Sequence, residues 1–168
     1  MIHTPLFLMG FMASGKTKTG KLLAKQLELP FLDLDQFIED EIGQKISNYF
    51  QAYGEEAFRK IESKCLHDIP IQPSVISLGG GTPCFADNLA FIKNAGKSIY
   101  LKKKPEVLIG RLREKKAKRP LVANLTDEEL QEFVLNTLKK REFYYQQADF
   151  IIDLENEPFS KLMELAVS

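Results

Sequence analysis

The sequence predicts a three-layer α/β fold, in which helices cover both faces of a parallel β-sheet. Apolar and β-branched runs recur along the chain, and segments with helical spacing lie between them. The runs occupy residues 6–9, 31–34, 74–78, 98–101 and 149–152. Strands that alternate with helices pair in parallel, because each crossover helix returns the chain to the same end of the sheet. We find no internal repeat or linker and expect one domain over residues 1–168.

The helices between these strands have recognisable starts. Residues 16–26 follow the first strand with helical character. Thr126 and Glu129 have the spacing of a capping box, which opens a long helix that reaches about residue 147. Three other residues suit a helix cap or a first turn, namely Asp87 before residues 88–94, Pro105 in the next helix and Pro158 in a final helix over 158–166.

The composition is that of an ordinary globular protein and argues against several classes. Lys plus Arg and Asp plus Glu both number 23, so the formal net charge is zero, which argues against a general nucleic-acid binder. No apolar run approaches the roughly 20 residues that cross a bilayer, and the first residues lack a leader pattern. Cys65 and Cys84 are interpreted as free thiols, and His3 and His67 as surface residues. We expect a cytoplasmic protein.

Residues 10–17 match the phosphate-binding loop pattern G-x-x-x-x-G-K-[ST] and lie between a predicted strand and a predicted helix. Glycines let backbone N–H groups surround a polyphosphate, and the helix dipole favours the same anion. Lys16 adds positive charge for the β- and γ-phosphates, while the Thr17 hydroxyl suits Mg²⁺. The alternative is a glycine-rich turn that matches by chance. The predicted nucleotide-binding residues of this loop are Gly10, Ala13, Ser14, Gly15, Lys16, Thr17 and Lys18.

Two carboxylates, Asp33 and Asp35, come at the end of the second strand. Residues two apart on a strand share a face, so we expect both side chains to point the same way. One carboxylate can orient the hydration shell of Mg²⁺, and the other can accept a hydrogen bond from an attacking hydroxyl. Asp33 is the better metal candidate, because the third strand ends in glycine rather than in a metal-binding Asp. The alternative is an exposed strand end with two solvated acids.

The third strand runs into Gly79, Gly80 and Gly81. Three consecutive glycines cost backbone entropy. They are reasonable where a ligand must touch the main chain or where N–H groups form an anion nest. A plain flexible turn is the alternative.

Two arginines are candidates to bind an acidic group. Arg59 borders an apolar helical stripe and lies three residues from Glu62, a spacing that allows an ion pair. Arg141 continues the apolar stripe of the long helix that follows Thr126, where an arginine is costly unless an anion pairs with it. Its planar fork suits a substrate carboxylate. The alternatives are a solvated helix face for Arg59 and a snorkelling side chain for Arg141.

A run rich in positive charge begins at Arg111, and we interpret residues 111–126 as a mobile lid over the triphosphate. Lid closure excludes water and can bring an arginine to the transferring phosphoryl group. Arg119 is the best candidate for that arginine, and a solvated charge run is the alternative.

Together these segments resemble the shikimate kinase family over nearly the whole chain. The matching segments are residues 10–17, 33–35, 55–62, 78–81, 119–121 and 141–145. The resemblance implies a fold similar to that of nucleoside monophosphate kinases, with five parallel strands in the order 2-3-1-4-5. It also implies phosphorylation of the 3-hydroxyl of shikimate by direct in-line transfer from ATP with Mg²⁺. The substrate-binding helices would lie at about residues 36–66.

The resemblance implies a role for each matching residue. Asp33 would hold magnesium through water, together with Thr17, and Asp35 would bind the shikimate hydroxyls and act as the base. The catalytic residues would be Asp35, Lys16 and Arg119. The substrate-binding residues would be Asp35, Arg59, Gly79, Gly80, Gly81 and Arg141. Arg111 and Arg119 would join the loop residues around the nucleotide, and the choice between Arg111 and Arg113 against adenine stays open.

Three features depart from the family pattern. Ala13 stands where the family usually has a further glycine, and its methyl group should fit if φ is negative there. The segment after Arg141 lacks a proline that is often found there, and residues 114–118 are rich in lysine. None of these departures removes a charged catalytic group.

Two rival functions follow from the same residues. The first is a kinase for another small acceptor, such as gluconate or a nucleoside monophosphate, although two arginines favour an acid over a nucleobase. The second is a non-catalytic nucleotide-binding module or GTPase-like switch, although the sequence has no Asn-Lys-x-Asp motif. We expect a monomer that binds a small molecule, without nucleic-acid or membrane partners.

Overall fold

A computed structural model describes residues 2–115, 119 and 121–168. Five strands form one sheet, and every neighbouring pair runs parallel. The strands are β1 (Leu6–Met9), β2 (Phe31–Asp33), β3 (Val75–Ser77), β4 (Lys97–Leu101) and β5 (Phe150–Ile152). Their order is β2-β3-β1-β4-β5, which confirms the predicted topology.

Helices pack on both faces of this sheet. They are α1 (Lys16–Leu27), α2 (Leu34–Ile42), α3 (Ile46–Asp68), α4 (Asn88–Ala95), α5 (Pro105–Lys115), α6 (Asp127–Tyr145) and α7 (Phe159–Val167), and a short 3₁₀ turn spans Thr82–Cys84. No helix within these described stretches is both long and apolar enough to cross a membrane.

The central strand β1 shows how the three layers arise. All four of its side chains are fully buried, and they alternate between two apolar clusters as the period of a strand requires. Phe7 and Met9 pack into the cluster that includes side chains of α2 to α6. Leu6 and Leu8 pack into the cluster that includes side chains of α1 and α7. A near-continuous apolar strand therefore lies between two helical layers.

The helix starts follow the sequence with two exceptions. The capping box at Thr126 is present in both directions, and α6 then ends at Tyr145, two residues before the expected end. Pro105 opens α5, while Pro158 precedes α7 rather than lying in its first turn. The expected Asp87 cap is wrong, because the side chain makes no capping hydrogen bond and the backbone is not in the extended region that a cap uses.

The second strand is one residue shorter than predicted, and this changes the local geometry of the site. Strand β2 ends at Asp33, and α2 begins at once with Leu34. Asp33 is the N-cap residue of α2, and its Oδ1 accepts a hydrogen bond from the Asp35 N–H at 3.1 Å. The expectation that both carboxylates lie on one strand face is therefore wrong, because a helix start rather than a strand places them together.

Gly54 interrupts α3 and divides it into two helical segments. Its φ of 80° and ψ of 178° lie in a region that is essentially restricted to glycine. We expect Gly54→Ala to lower the free energy of unfolding by about 1–3 kcal/mol, as measured by urea denaturation.

Gly110→Ala is the matched control for this prediction. Gly110 lies inside α5, and a Cβ there would meet nothing within 4 Å. Alanine suits a helix interior better than glycine, so stability should stay unchanged or rise by about 0.5–1 kcal/mol. A similar loss of stability in both variants would contradict this account of the α3 break.

Candidate active site

The loop between β1 and α1 surrounds a buried lysine. Lys16 Nζ donates hydrogen bonds to the carbonyl oxygens of Gly10 at 2.7 Å and Phe11 at 2.9 Å. Burial is the largest influence on this ammonium and lowers its pKa to about 8. Both hydrogen-bond acceptors are neutral, so a polyphosphate would supply the negative charge that a buried ammonium requires.

Glycine is required in this loop by close approach and by backbone conformation. A Cβ at Gly10 would lie 2.8 Å from the Leu101 carbonyl oxygen, and Gly15 has a φ of 96°. Ala13 does not meet the condition that we expected of it, since its φ is 64° rather than negative. An L-residue in this left-handed region costs about 1–2 kcal/mol, which is the physical reason for a glycine at such a position.

Two cavities meet at the carboxyl ends of β1, β2 and β3. The larger has a volume of about 930 Å³ and the smaller about 560 Å³. They share seven lining residues, namely Met12, Thr17, Asp33, Asp35, Gly79, Gly80 and Arg119. Ligands in open parallel sheets gather at this end of the strands. The shared wall is therefore where a group could pass from one bound molecule to another.

The smaller cavity contains most of the predicted nucleotide-binding residues. Ala13, Gly15, Lys16, Thr17, Lys18, Arg111 and Arg119 line it. Gly10 and Ser14 are buried and are not among the lining residues. The Ser14 hydroxyl is one of two buried side-chain polar atoms that have no hydrogen-bond partner within the described part of the chain.

Thr17 and Asp33 provide oxygen ligands beside the loop. The Thr17 hydroxyl donates a 2.7 Å hydrogen bond to Asp33 Oδ2. Within the described ranges, no group of three or more His, Cys, Asp or Glu side chains could hold a metal ion alone. Mg²⁺ commonly uses one or two protein oxygens, with phosphates and water as its other ligands. Thr17 and Asp33 therefore fit Mg²⁺ that arrives with a nucleotide.

Asp35 lies on the shared wall of the two cavities, in the first turn of α2. Its carboxylate is exposed to the cleft, whose walls nevertheless replace most of the water around it. Desolvation there raises its pKa to about 6, and the neighbouring charges of Asp33 and Glu62 act in the same direction. A carboxylate with a raised pKa is a better general base than one in water, because its proton affinity is closer to that required near neutral pH.

Arg59 lies in the larger cavity with its guanidinium held by two glutamates. Nη1 donates a 2.7 Å hydrogen bond to Glu62 Oε1, and Nη2 donates one of 3.3 Å to Glu55 Oε1. The predicted pair with Glu62 is confirmed. The solvated-face alternative is wrong, because the Arg59 side chain is only 12% exposed.

Arg141 also lines the larger cavity, and among the described residues fewer hydrogen-bond acceptors surround its guanidinium than surround that of Arg59. Its Nη1 is the second buried polar atom that has no hydrogen-bond partner within the described residues. The guanidinium lies over the Phe11 ring, with Cζ 5.5 Å from the ring centroid. A buried N–H without a partner costs about 1–3 kcal/mol, more for a charged group, and an incoming carboxylate would satisfy it. The alternative of a snorkelling side chain does not explain a buried Nη1.

The three glycines leave the space that these side chains occupy. An added Cβ would lie 2.5 Å from Arg59 Cζ at Gly81, 3.2 Å from Arg141 Nη1 at Gly80, and 2.7 Å from Glu62 Oε2 at Gly79. The sequence pattern predicts a close approach here. The groups that approach are the arginines and Glu62, in addition to any ligand.

Two of the lid arginines approach the nucleotide end. Arg119 lines both cavities, and desolvation lowers its pKa while the Asp35 carboxylate opposes that shift. Arg111 Nη1 donates a 3.0 Å hydrogen bond to the Ala13 carbonyl oxygen, whereas Arg113 Nε lies 3.5 Å from an Asp127 carboxylate oxygen. Of the two arginines left open by the sequence, only Arg111 is among the residues that line the smaller cavity. Lid residues 116–118 and 120 lie outside the described residues.

The sequence indicates the pair of Arg59 with Glu62, but not the contacts that hold Glu62 and the glycine turn in place. Glu62 is buried, and its Oε2 accepts a 2.7 Å hydrogen bond from the Thr82 hydroxyl. The Tyr145 hydroxyl donates to the Gly80 carbonyl oxygen. The spacing of the α6 stripe places Tyr145 beside Arg141, but it does not predict the contact with Gly80. Thr82 gives no sequence signal.

Comparison with known proteins agrees with this arrangement. The family model described as shikimate kinase matches residues 12–167. The shikimate kinase of Flavobacterium psychrophilum is 43% identical over 164 residues, which is 95% of each chain. That of Phocaeicola vulgatus is 43% identical over 146 residues, or 86% of this chain and 83% of its relative.

Solved structures give the same result. The crystal structure of shikimate kinase from Bacteroides thetaiotaomicron has a TM-score of 0.90, 36% identity and 99% coverage of both chains. Shikimate kinase from Acinetobacter baumannii, in complex with shikimate, has a TM-score of 0.86 and 29% identity, with 98% of this chain and 90% of that chain covered. Because the family match and these relatives extend over nearly the whole sequence, this chain belongs to the shikimate kinase family.

Proposed function

We propose that this protein transfers the γ-phosphoryl group of ATP to the 3-hydroxyl of shikimate and releases ADP and shikimate 3-phosphate. The observation that carries the proposal is the shared wall of the two cavities, which Asp35 helps to line. At the nucleotide end, Lys16 is a buried ammonium bound to two neutral carbonyl oxygens and requires an anion. At the opposite end, Arg141 Nη1 is a buried N–H that has no hydrogen-bond partner within the described residues and requires an acceptor. A triphosphate and a hydroxylated acid satisfy both.

The charged residues divide between these two ligands. Lys16 and Arg119 would neutralise the triphosphate, and Arg111 would lie beside the nucleotide. Arg59 and Arg141 would bind the shikimate carboxylate, while Gly79, Gly80 and Gly81 would contact the ring hydroxyls. Two arginines around one carboxylate give bidentate, charge-assisted hydrogen bonds and therefore fix the ring's orientation.

Asp35 would accept the proton of the 3-hydroxyl while the oxygen of that hydroxyl forms a bond to the γ-phosphorus. The bond from that phosphorus to the β–γ bridging oxygen breaks, and ADP leaves with the bonding electrons. Thr17 and, through water, Asp33 would hold Mg²⁺, which when bound stabilises charge on the phosphate oxygens. Because all transfers are direct, positioning and charge neutralisation supply most of the rate enhancement.

We also infer that the protein acts as a monomer in the cytoplasm. Every residue proposed to act comes from one chain, so a second copy is not needed to complete the site. The cytoplasm supplies ATP, and the two cysteines are free thiols, as a reducing compartment requires. The zero net charge favours small molecules over nucleic acid as partners.

A coupled assay that follows ADP release with ATP, Mg²⁺ and shikimate tests the proposed activity. We expect shikimate-dependent turnover at a rate far above that with gluconate or a nucleoside monophosphate. Faster turnover with either of those acceptors would indicate another small-molecule kinase. ATP binding without shikimate-dependent turnover would contradict the activity and support a nucleotide-binding module.

A further inference from the structure

The two arginines of the larger cavity differ in the negative charge that already surrounds them. Arg141 Nη1 has no hydrogen-bond partner within the described residues, and the Tyr145 hydroxyl interacts with the same guanidinium. An incoming carboxylate can therefore bind Nη1 without displacing another carboxylate. Arg59 already contacts Glu62 and Glu55. A guanidinium has five N–H donors, and these two contacts use one on each terminal nitrogen. A substrate carboxylate that binds Nη2 must therefore share that nitrogen with Glu55 or displace it.

The two glutamates hold Arg59 in unlike ways. Glu62 is 1% exposed, and its second carboxylate oxygen accepts a hydrogen bond from the Thr82 hydroxyl. If Glu62 gave up its contact with Arg59, a buried negative charge would lose its partner, which is costly. Glu55 is 55% exposed, and its contact is 3.3 Å long, compared with 2.7 Å for Glu62. The Glu55 carboxylate can rotate into water at little cost, because exposed pairs of this kind contribute little. The contact of Glu55 is therefore the exchangeable one.

The chain places Glu55 there through the break in α3. Gly54 has non-helical torsion angles, so Glu55 lies in the first turn of the second helical segment. A carboxylate is favourable near a helix N-terminus, and the spacing of four residues brings it beside Arg59. Arg59 lines the larger cavity and Glu55 does not, so the Glu55 carboxylate contacts Arg59 without forming part of the cavity wall.

We propose that Glu55 competes with the substrate for Arg59. The Glu55 carboxylate binds Arg59 Nη2 in the empty site, and the substrate carboxylate displaces it from that nitrogen. This inference rests on the proposed function, in which that carboxylate binds Arg59. Shikimate would bind the molecules in which Arg59 is free of Glu55. Its apparent affinity is therefore the intrinsic affinity multiplied by the fraction of molecules in that state. Glu55 thus sets the affinity for the acid without taking part in the phosphoryl transfer.

Glu55→Gln tests the proposal through the KM for shikimate. We expect KM to fall about two- to fivefold, the size of an exposed ion pair, with kcat and the KM for ATP unchanged. Glu56→Gln is the matched control, since Glu56 forms the equivalent pair with Lys60 at 2.8 Å and is 81% exposed. It should leave the KM for shikimate unchanged.

Two further measurements separate the direct contact of Glu55 with Arg59 from the general effect of a negative charge near the substrate. Glu55→Asp keeps the charge but shortens the side chain, so it should lower KM as Glu55→Gln does; a wild-type KM in Glu55→Asp would overturn the proposal. The methyl ester of shikimate has no carboxylate charge, so its affinity should be the same for Glu55→Gln and the unmodified protein. A raised KM for shikimate in Glu55→Gln would show that Glu55 positions Arg59, and an unchanged KM would show no competition.

Shikimate binding and turnover by the unmodified protein show whether the competition alone fails or the proposed function fails as well. If it turns over shikimate while the Glu55 variants behave as wild type, only the competition is contradicted. If it neither binds nor turns over shikimate, the proposed function fails and the competition fails with it.

Discussion

Arg141→Ala should raise the KM for shikimate by about 10²- to 10³-fold and leave the Kd of ADP within about twofold of its original value. Truncating one partner of a buried, hydrogen-bonded charge pair costs about 2–5 kcal/mol, and each 1.4 kcal/mol is tenfold in affinity. The loss should fall on the acid alone, because Arg141 lines the larger cavity and not the smaller one. Steady-state kinetics with shikimate and calorimetric titration with ADP measure the two effects.

Lys140→Ala is the control for Arg141→Ala. Lys140 precedes Arg141 on α6, is exposed, and carries the same charge. It should change neither affinity. An equal loss of shikimate and ADP binding in Arg141→Ala would mean that Arg141 supports the whole site rather than the acid.

Asp35→Asn should lower kcat by about 10²- to 10⁴-fold, the range that general acid–base catalysis contributes. An amide of nearly the same shape still donates and accepts hydrogen bonds, so the KM for shikimate should change far less than kcat. Folding should not suffer, since the substitution removes a negative charge from beside Asp33 and Glu62. Single-turnover kinetics and the thermal midpoint Tm measure these effects.

Glu41→Gln provides the comparison on the same helix. Glu41 is exposed on α2 and is not among the residues that line either cavity. Its replacement makes the same chemical change, carboxylate to amide, and should leave kcat unchanged. If Asp35→Asn retained the original kcat, Asp35 would not be the base.

Much of the fold could be predicted because its determinants are local and periodic. The alternation of apolar runs and helical segments predicts parallel strands, and the fixed spacing of residues 10–17 predicts the loop. The site follows from the same topology, since Asp33 and Gly79 both come at the carboxyl ends of neighbouring strands. Distant charges such as Arg141 are detectable because an arginine on an apolar helix stripe conflicts with burial.

The remaining features depend on backbone geometry that composition does not encode. Strand β2 is an edge strand of three residues, and the helix that follows it, rather than strand alternation, places Asp35. The positive φ of Ala13 is imposed by the course of the loop and not by the preference of alanine. The Glu55 contact depends on the break at Gly54. Closure of the lid over 111–126 stays a prediction.

A crystal structure with ADP, Mg²⁺ and shikimate bound together would show whether both ligands contact the residues proposed to bind them. We expect the shikimate carboxylate within hydrogen-bond distance of both Arg59 and Arg141, with the 3-hydroxyl beside Asp35 and facing the phosphates of ADP. A carboxylate bound away from both arginines, or a 3-hydroxyl turned from Asp35, would contradict this arrangement.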